Sequence, residues 1–142
     1  MNATVTAHKQ QRTITEVVIY PEHAQRTESP EFRRSVQRLK DDGHYRCYIC
    51  GSAEKVQVHH FGAEWALSDD VDFDKLKEFC ETHDIYGYGK LLKNKPFTSV
   101  DDVRNMMAIC EHHHIEKETG IHETTFPVWI SQKIAKTGIE TI

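Results

Sequence analysis

Two residue pairs, Cys47-x-x-Cys50 and Cys110-x-x-His113, have the types and spacing of two halves of one metal site. Zinc takes four ligands in a tetrahedron, drawn from thiolate and imidazole, and two intervening residues let a tight turn present both donors of a half to one ion. Cys80-x-x-His83 repeats the spacing and offers a rival second half. Cys80 also falls on an apolar stripe, where a buried thiol behaves as a small hydrophobe. A second set, His59, His60, Asn105 and His114, is interleaved with the first. Its residue types suit hydrolysis of a phosphodiester, which needs a nucleophilic water, a base to take its proton and positive charge against the developing negative charge. A neutral imidazole serves as base near pH 7, and a nearby cation keeps it unprotonated. Taken singly, His59 and His60 read as structural or surface residues, Asn105 as a turn residue, and His112, His113 and His114 as an exposed polar helix start. Their order and spacing together carry the reading.

These residues need elements to hold them. Ser29-Pro30 is a cap followed by proline at the first helical position, and Phe32, Val36 and Leu39 recur at helical spacing until Asp41-Asp42-Gly43 ends the helix. Tyr45 to Cys50 enters a knuckle closed by Gly51. Val56-Gln57-Val58-His59 alternates and reads as a strand, whose adjacent side chains face opposite ways. His59 and His60 are therefore set to serve different tasks. Met106 to Ile109 is a short buried segment, and Ser99-x-x-Asp102 resembles a capping box opening the turn before Asn105. His112 to Thr119 reads as a helix closed by Gly120, with Glu118 on the face of His114 as a further ligand or a solvated acid. A last helix opens at Phe126-Pro127, packs through Trp129, Ile130 and Ile134, and closes at Gly138. Upstream, Thr13 to Tyr20 is rich in β-branched residues and reads as a strand ended by Pro21, with Glu22 to Glu28 a polar linker. Between His60 and Asn105 a helix is expected over Asp69 to Thr82, then a loop through Gly87 and Lys95.

With His59-His60, Asn105, and Cys110-x-x-His113-His114 in this order behind Cys47-x-x-Cys50, the chain resembles the HNH endonucleases of the ββα-metal class over about residues 44 to 120. The run Asp102-x-Arg104-Asn105 and the Gly120-Ile121-His122 segment are similar to small stand-alone HNH proteins of phages and prophages. The resemblance implies that His59 and His114 hold a catalytic divalent ion, that His60 is the general base, and that Asn105 orients the loop behind the base or reaches the metal. It further implies a structural zinc on Cys47, Cys50, Cys110 and His113, and products with 5′-phosphate and 3′-hydroxyl ends. Two imidazole ligands suit manganese, nickel, cobalt or zinc, and magnesium if phosphate and water complete its shell. The expected fold is α+β: a small ββα-metal (His-Me finger) core stapled by a zinc knuckle, with flanking helices. Residues 1–28 form an arm and strand, and residues 29–142 the nuclease domain, with a helical and loop insert at about 62–98.

The chain has 142 residues, 18 basic and 22 acidic, for a formal charge of −4. A nucleic-acid binder usually carries a basic surface, so the distribution matters more than the sum. Arg33, Arg34 and Arg38 cluster in the first helix, and Lys90, Lys93 and Lys95 in the insert; these are the candidate DNA contacts, while the acids of 69–84 should face elsewhere. Mean hydropathy is negative and no apolar run approaches a membrane span. The first residues do not read as a signal peptide. Four cysteines without an export signal favour a reducing compartment, where metal ligation is commoner than disulfides; the expected location is the cytoplasm, that of the host cell for a phage-encoded protein. Three readings remain open: a metal-dependent endonuclease acting on DNA, a non-cutting zinc module that binds nucleic acid or a phage or host protein, and a structural subunit of a larger phage or mobile-element assembly that pairs through the strand at Thr13 to Tyr20.

Overall fold

The computed structural model describes residues 3–17 and 19–140, without the side chains of Pro127 and Ile134. It is a small mixed α/β fold whose one sheet, among the described residues, is a two-stranded antiparallel pair. Helix α1 (Pro30–Asp41) is followed by β1 (Val56–His60), α2 (Phe73–Thr82), α3 (Tyr88–Leu91), β2 (Met106–Cys110), α4 (Glu111–His114) and α5 (Phe126–Ile134), with single 3-10 turns at Trp65–Leu67 and Val103–Asn105. The register pairs Val56 with Cys110 and His60 with Met106. All five residues of β2 are buried, whereas β1 is buried only at His60.

An isolated two-stranded sheet is marginal in water, and here both flanks of β2 are occupied. Tyr48 of the knuckle donates its N–H to the Ala108 carbonyl at 2.8 Å, and the Ala108 N–H donates to the Tyr86 hydroxyl at 2.9 Å. Three apolar clusters surround this pair. Met107 and Ile109 pack with Cys47, Ile49 and Trp129. Met106 packs with Phe32 and Leu39 of α1 and with Tyr88. Leu76 and Cys80 of α2 pack with Phe97 and Val100.

Helix α1 follows its sequence signals. Ser29 caps it by accepting the Phe32 N–H at 2.9 Å, and Phe32 and Leu39 face inward. Other expectations need correction. Residues 13–17, 19 and 20 do not form a strand, and Val18 lies outside the described residues. Val17 and Ile19 are 89% and 87% exposed. β-Propensity is realised only against a partner strand, and the described residues of this segment pair with neither strand of the sheet. The insert helix begins at Phe73 rather than Asp69, because Asp72 caps it, accepting from Asp74 and Lys75. The expected loop after it contains the single helical turn of α3. Ser99 accepts from Asp101 rather than capping a helix, and Asp102 caps the turn before Asn105. Helix α4 stops at His114 instead of Thr119, since the run after it offers only Ile115, itself 47% exposed, as an apolar anchor. Helix α5 starts as expected but ends at Ile134, short of Gly138; Trp129 is fully buried and donates to the His113 carbonyl at 2.8 Å.

A buried ion pair ties the insert to the sheet. Arg104 forks onto Asp102 through Nε and Nη2, at 2.8 and 2.7 Å, and Nη1 donates to the carbonyls of Leu92 and Lys95. Its guanidinium lies 4.1 Å from the centre of the Phe97 ring. Removing one partner of such a pair strands the other charge out of water, which costs roughly 3–5 kcal/mol. Arg104→Ala is expected to lower the urea midpoint accordingly, while Arg104→Lys recovers only part of the loss because a lysine cannot fork.

Candidate metal centres and the histidine cavity

The knuckle, the end of β2 and the start of α4 bring Cys47, Cys50, Cys110 and His113 together, with one ligand atom from each within 4.8 Å of the others. The Gly51 N–H donates to the Cys47 carbonyl, and Gly51 sits at φ +77, which lets the knuckle close. The Cys50–Cys110 sulfur separation is 3.9 Å, and His113 Nδ1 lies 3.7 Å from Cys47 Sγ and 3.3 Å from Cys110 Sγ. A tetrahedral zinc with ordinary bond lengths requires about 3.8 Å between sulfurs and about 3.5 Å between sulfur and nitrogen. The cluster therefore fits a metal such as zinc. Burial raises the Cys47 thiol, but hydrogen bonding to His113 and to the backbone of Cys110, Cys50 and Ile49 outweighs this and brings it down to about 5. Cys110 is pushed up to about 11, by burial first and then by its neighbouring sulfurs. One thiolate is thus favoured by the protein alone, and a cation is what would carry all three.

The rival half does not join this cluster. Cys80 is 1% exposed, packs with Leu76 and Phe97, and has its thiol pushed up to about 12 by burial first and then by Asp102. His83 lies tilted against the Phe79 ring instead.

A second group consists of His59, His114 and His122, again with one nitrogen from each within 4.8 Å of the others. His59 projects from β1, and His114 closes α4. The Nε2 atoms of His114 and His122 are 3.0 Å apart, close to the spacing of two imidazoles at a right angle about one transition ion. His114 Nδ1 bonds Gln57 Oε1 at 2.6 Å, which fixes the ring and leaves Nε2 for a ligand. His122 is not among the ligands expected from the sequence, because its approach depends on a turn. After α4 the chain doubles back through Glu118 at φ +77 and Gly120, so that the N–H groups of Ile121 and His122 reach the carbonyls of His113 and His114. A Cβ on Gly120 would lie 2.7 Å from the His114 carbonyl oxygen, so only glycine fits. Glu118 is carried off the expected helix face by the same turn and is not in the cluster.

Burial, then the neighbouring His122, His114, His60 and Arg26, bring His59 down to about 3; burial, His122 and Arg26 bring His114 down to about 4. Both rings are neutral near pH 7, the form that binds metal. The folded state resists protonation that the unfolded chain accepts near pH 6.5. This contribution to stability is complete above pH 6.5 and is lost as pH falls towards 4 and 3. The melting temperature, measured without an ion beyond zinc, is expected to fall across that window by at least about 5 °C. In His114→Gln the fall should be shallower.

His60 turns the other way from His59, towards α1. It is 5% exposed, and its Nε2 bonds Asp101 Oδ1 at 2.8 Å. Asp101 is itself held by Ser29 Oγ on Oδ2, at 2.7 Å, and by Ser35 Oγ on its carbonyl, at 2.6 Å. Burial pulls the His60 ring below its ordinary value and outweighs the Asp101 carboxylate, which raises it. Among the described residues Nδ1 has no hydrogen-bond partner, and the ring lines a cavity. Asn105 is fully buried and makes four bonds: Oδ1 accepts from Gly62 and Ala63, and Nδ2 donates to the carbonyls of Ala63 and Val100. It braces the backbone following His60 and bonds neither His60 nor the histidine group.

A cavity of about 320 Å³ joins these parts, and His59, His60, His114 and His122 all line it. Arg26 and Trp65 line it too, with His23; Trp65 Nε1 donates to the Ala24 carbonyl, which holds the linker between His23 and Arg26 beside the cavity. None of the six expected DNA contacts lines this cavity. Arg33 lies in an adjoining groove, Arg34, Arg38 and Lys95 border a separate depression with Glu31 and Asp102, and Lys90 and Lys93 are exposed elsewhere. No helix among the described residues is long and apolar enough to cross a membrane. No family model, curated protein or solved structure matches the chain.

Proposed function

We propose that the chain is a metal-dependent endonuclease of the HNH, ββα-metal kind, hydrolysing phosphodiester bonds in DNA. The observation that carries this reading is the shared cavity, in which a carboxylate-braced imidazole, His60, sits beside three convergent imidazoles. In this reading β1, β2 and α4 form the core, with zinc on the Cys47–His113 cluster as its staple. His59, His114 and His122 would hold the catalytic ion, manganese, nickel, zinc or magnesium, which supplies positive charge to a scissile phosphate. Asp101 accepts the His60 Nε2 proton and so leaves the Nδ1 lone pair to take a proton from the attacking water. Asn105 fixes the loop behind His60, which keeps the base at a constant distance from the histidine group. Arg26 adds a fixed cation at the rim.

The net charge of −4 favours a second reading, a non-cutting zinc module that binds nucleic acid or a protein partner from a phage or its host. Supercoiled plasmid incubated with zinc-loaded protein separates the two. Nicking that requires added manganese, nickel or magnesium, and that His122→Ala abolishes while zinc content stays unchanged, supports the enzyme. Wild-type protein that leaves the plasmid intact with every ion supports the module.

A further inference from the structure

We propose that Arg26, Arg33 and Lys40 line a phosphate-tracking groove that leads one strand of a nucleic acid into the histidine cavity. The inference rests on the nuclease reading for the destination of the strand, but not for the groove itself. A groove of about 580 Å³ runs between α1 and β1, and it shares Arg26 and Val58 with the cavity that holds the histidines. On α1, Arg33, Gln37 and Lys40 follow one another at four- and three-residue spacing and so lie on one face, and all three line the groove. Phe32, Val36 and Val58 pack in a common cluster at its base.

The charge of the groove is unlike that of the chain. Three basic side chains line it and one acidic one, Glu28, in a protein whose formal charge is −4. None of the three bases is in an ion pair among the described residues. Arg26 lies over the Phe32 ring at 5.4 Å and Lys40 over the Tyr45 ring at 4.8 Å, which orients both cations without neutralising them. Arg34 and Arg38 face the other flank, where Arg38 is paired with Asp42 and the depression is shared with Glu31 and Asp102. From Arg33 to Lys40 the helix rises about 10 Å, close to the axial rise of about three nucleotides. Cations at that separation over an apolar floor suit the repeating charge of a nucleic-acid backbone better than a single small anion.

The test is binding, measured by fluorescence anisotropy of a labelled oligonucleotide, single-stranded or duplex, across a salt series. The protein is zinc-loaded His60→Ala with no other ion added. Arg33→Ala/Lys40→Ala is expected to weaken binding at least about tenfold and to reduce the salt slope by roughly 2. Arg34→Ala/Arg38→Ala should stay within about threefold, and Arg33→Lys/Lys40→Arg should restore most of the affinity. Equal losses from both alanine pairs, or no loss from the groove pair, would overturn the proposal. So would equal affinity for poly-glutamate, which would make the groove a site for an acidic polypeptide. The two readings fail separately. A groove pair that loses DNA binding in a protein that never nicks keeps the groove and removes the nuclease; nicking with an unchanged KM in the groove pair does the reverse.

Discussion

Cys110→Ser is expected to leave the chain without a cooperative fold, and stripping the metal from the wild type with a chelator should do the same. Cys110 ends β2, is the N-cap residue of α4 and is paired in register with Val56. The knuckle and both strands therefore depend on one cluster of four ligands. The cluster lies against the core formed by Ile49, Met107, Ile109 and Trp129, so its loss opens that apolar contact of the sheet. A structural zinc of this kind contributes on the order of 10 kcal/mol, as much as the whole net stability of a typical domain, roughly 5–15 kcal/mol. The expected signature is about one zinc per chain in the purified protein. Near-UV circular dichroism and the thermal transition should vanish together when that zinc is removed. Cys80→Ala provides the contrast. Its thiol sits in a separate apolar cluster, so the variant should keep its zinc and lose only about 1–2 kcal/mol, the cost of a small core cavity. Zinc lost from Cys80→Ala and retained by Cys110→Ser would show that the ligands are paired differently.

Local chemistry makes part of this architecture legible. The Ser29-Pro30 cap, the alternation of β1 and the spacing of the cysteine pairs each reflect interactions among residues close in sequence, or ligand preferences that hold in any fold. The strand period alone sets His59 and His60 on opposite faces, and the structure sends one to His114 and His122 and the other to Asp101. Distant pairings are not legible in the same way. Asp101 meets His60 across 41 residues, and only the folded insert brings them together. His122 reaches His114 through a turn that depends on Gly120 and a left-handed Glu118, where helical periodicity suggests continuation to Thr119. A clue is present, since a run with one exposed isoleucine cannot bury a helical face. The basic residues are harder still, because a cation's role depends on which groups surround it after folding. Arg38, expected on DNA, pairs with Asp42 on the far flank of α1. Arg26 reads as linker until Trp65 holds that segment beside the cavity, which Arg26 then lines.

On the proposed endonuclease reading, His60→Ala is expected to abolish nicking, with a fall of about 10³-fold or more in kcat, while zinc content, fold and oligonucleotide binding stay near wild type. A positioned general base contributes roughly 10²–10⁴-fold, and the three imidazoles grouped beside His60 in the cavity cannot replace it. His59, His114 and His122 converge on one another, and a lone pair engaged by an ion is not available to a proton. Asp101→Asn is the discriminating companion. The amide preserves the size of the side chain and can still bond Ser29, but it offers a weaker acceptor, or a donor, to His60 Nε2 where the carboxylate accepts at 2.8 Å. The ring then loses its preference for an unprotonated Nδ1, and kcat should fall by about 10²-fold with KM unchanged, as expected for a group that acts through the base rather than on the substrate. If His60 served only to fill space between β1 and α1, His60→Gln would nick at the wild-type rate, and Asp101→Asn would alter stability without touching turnover.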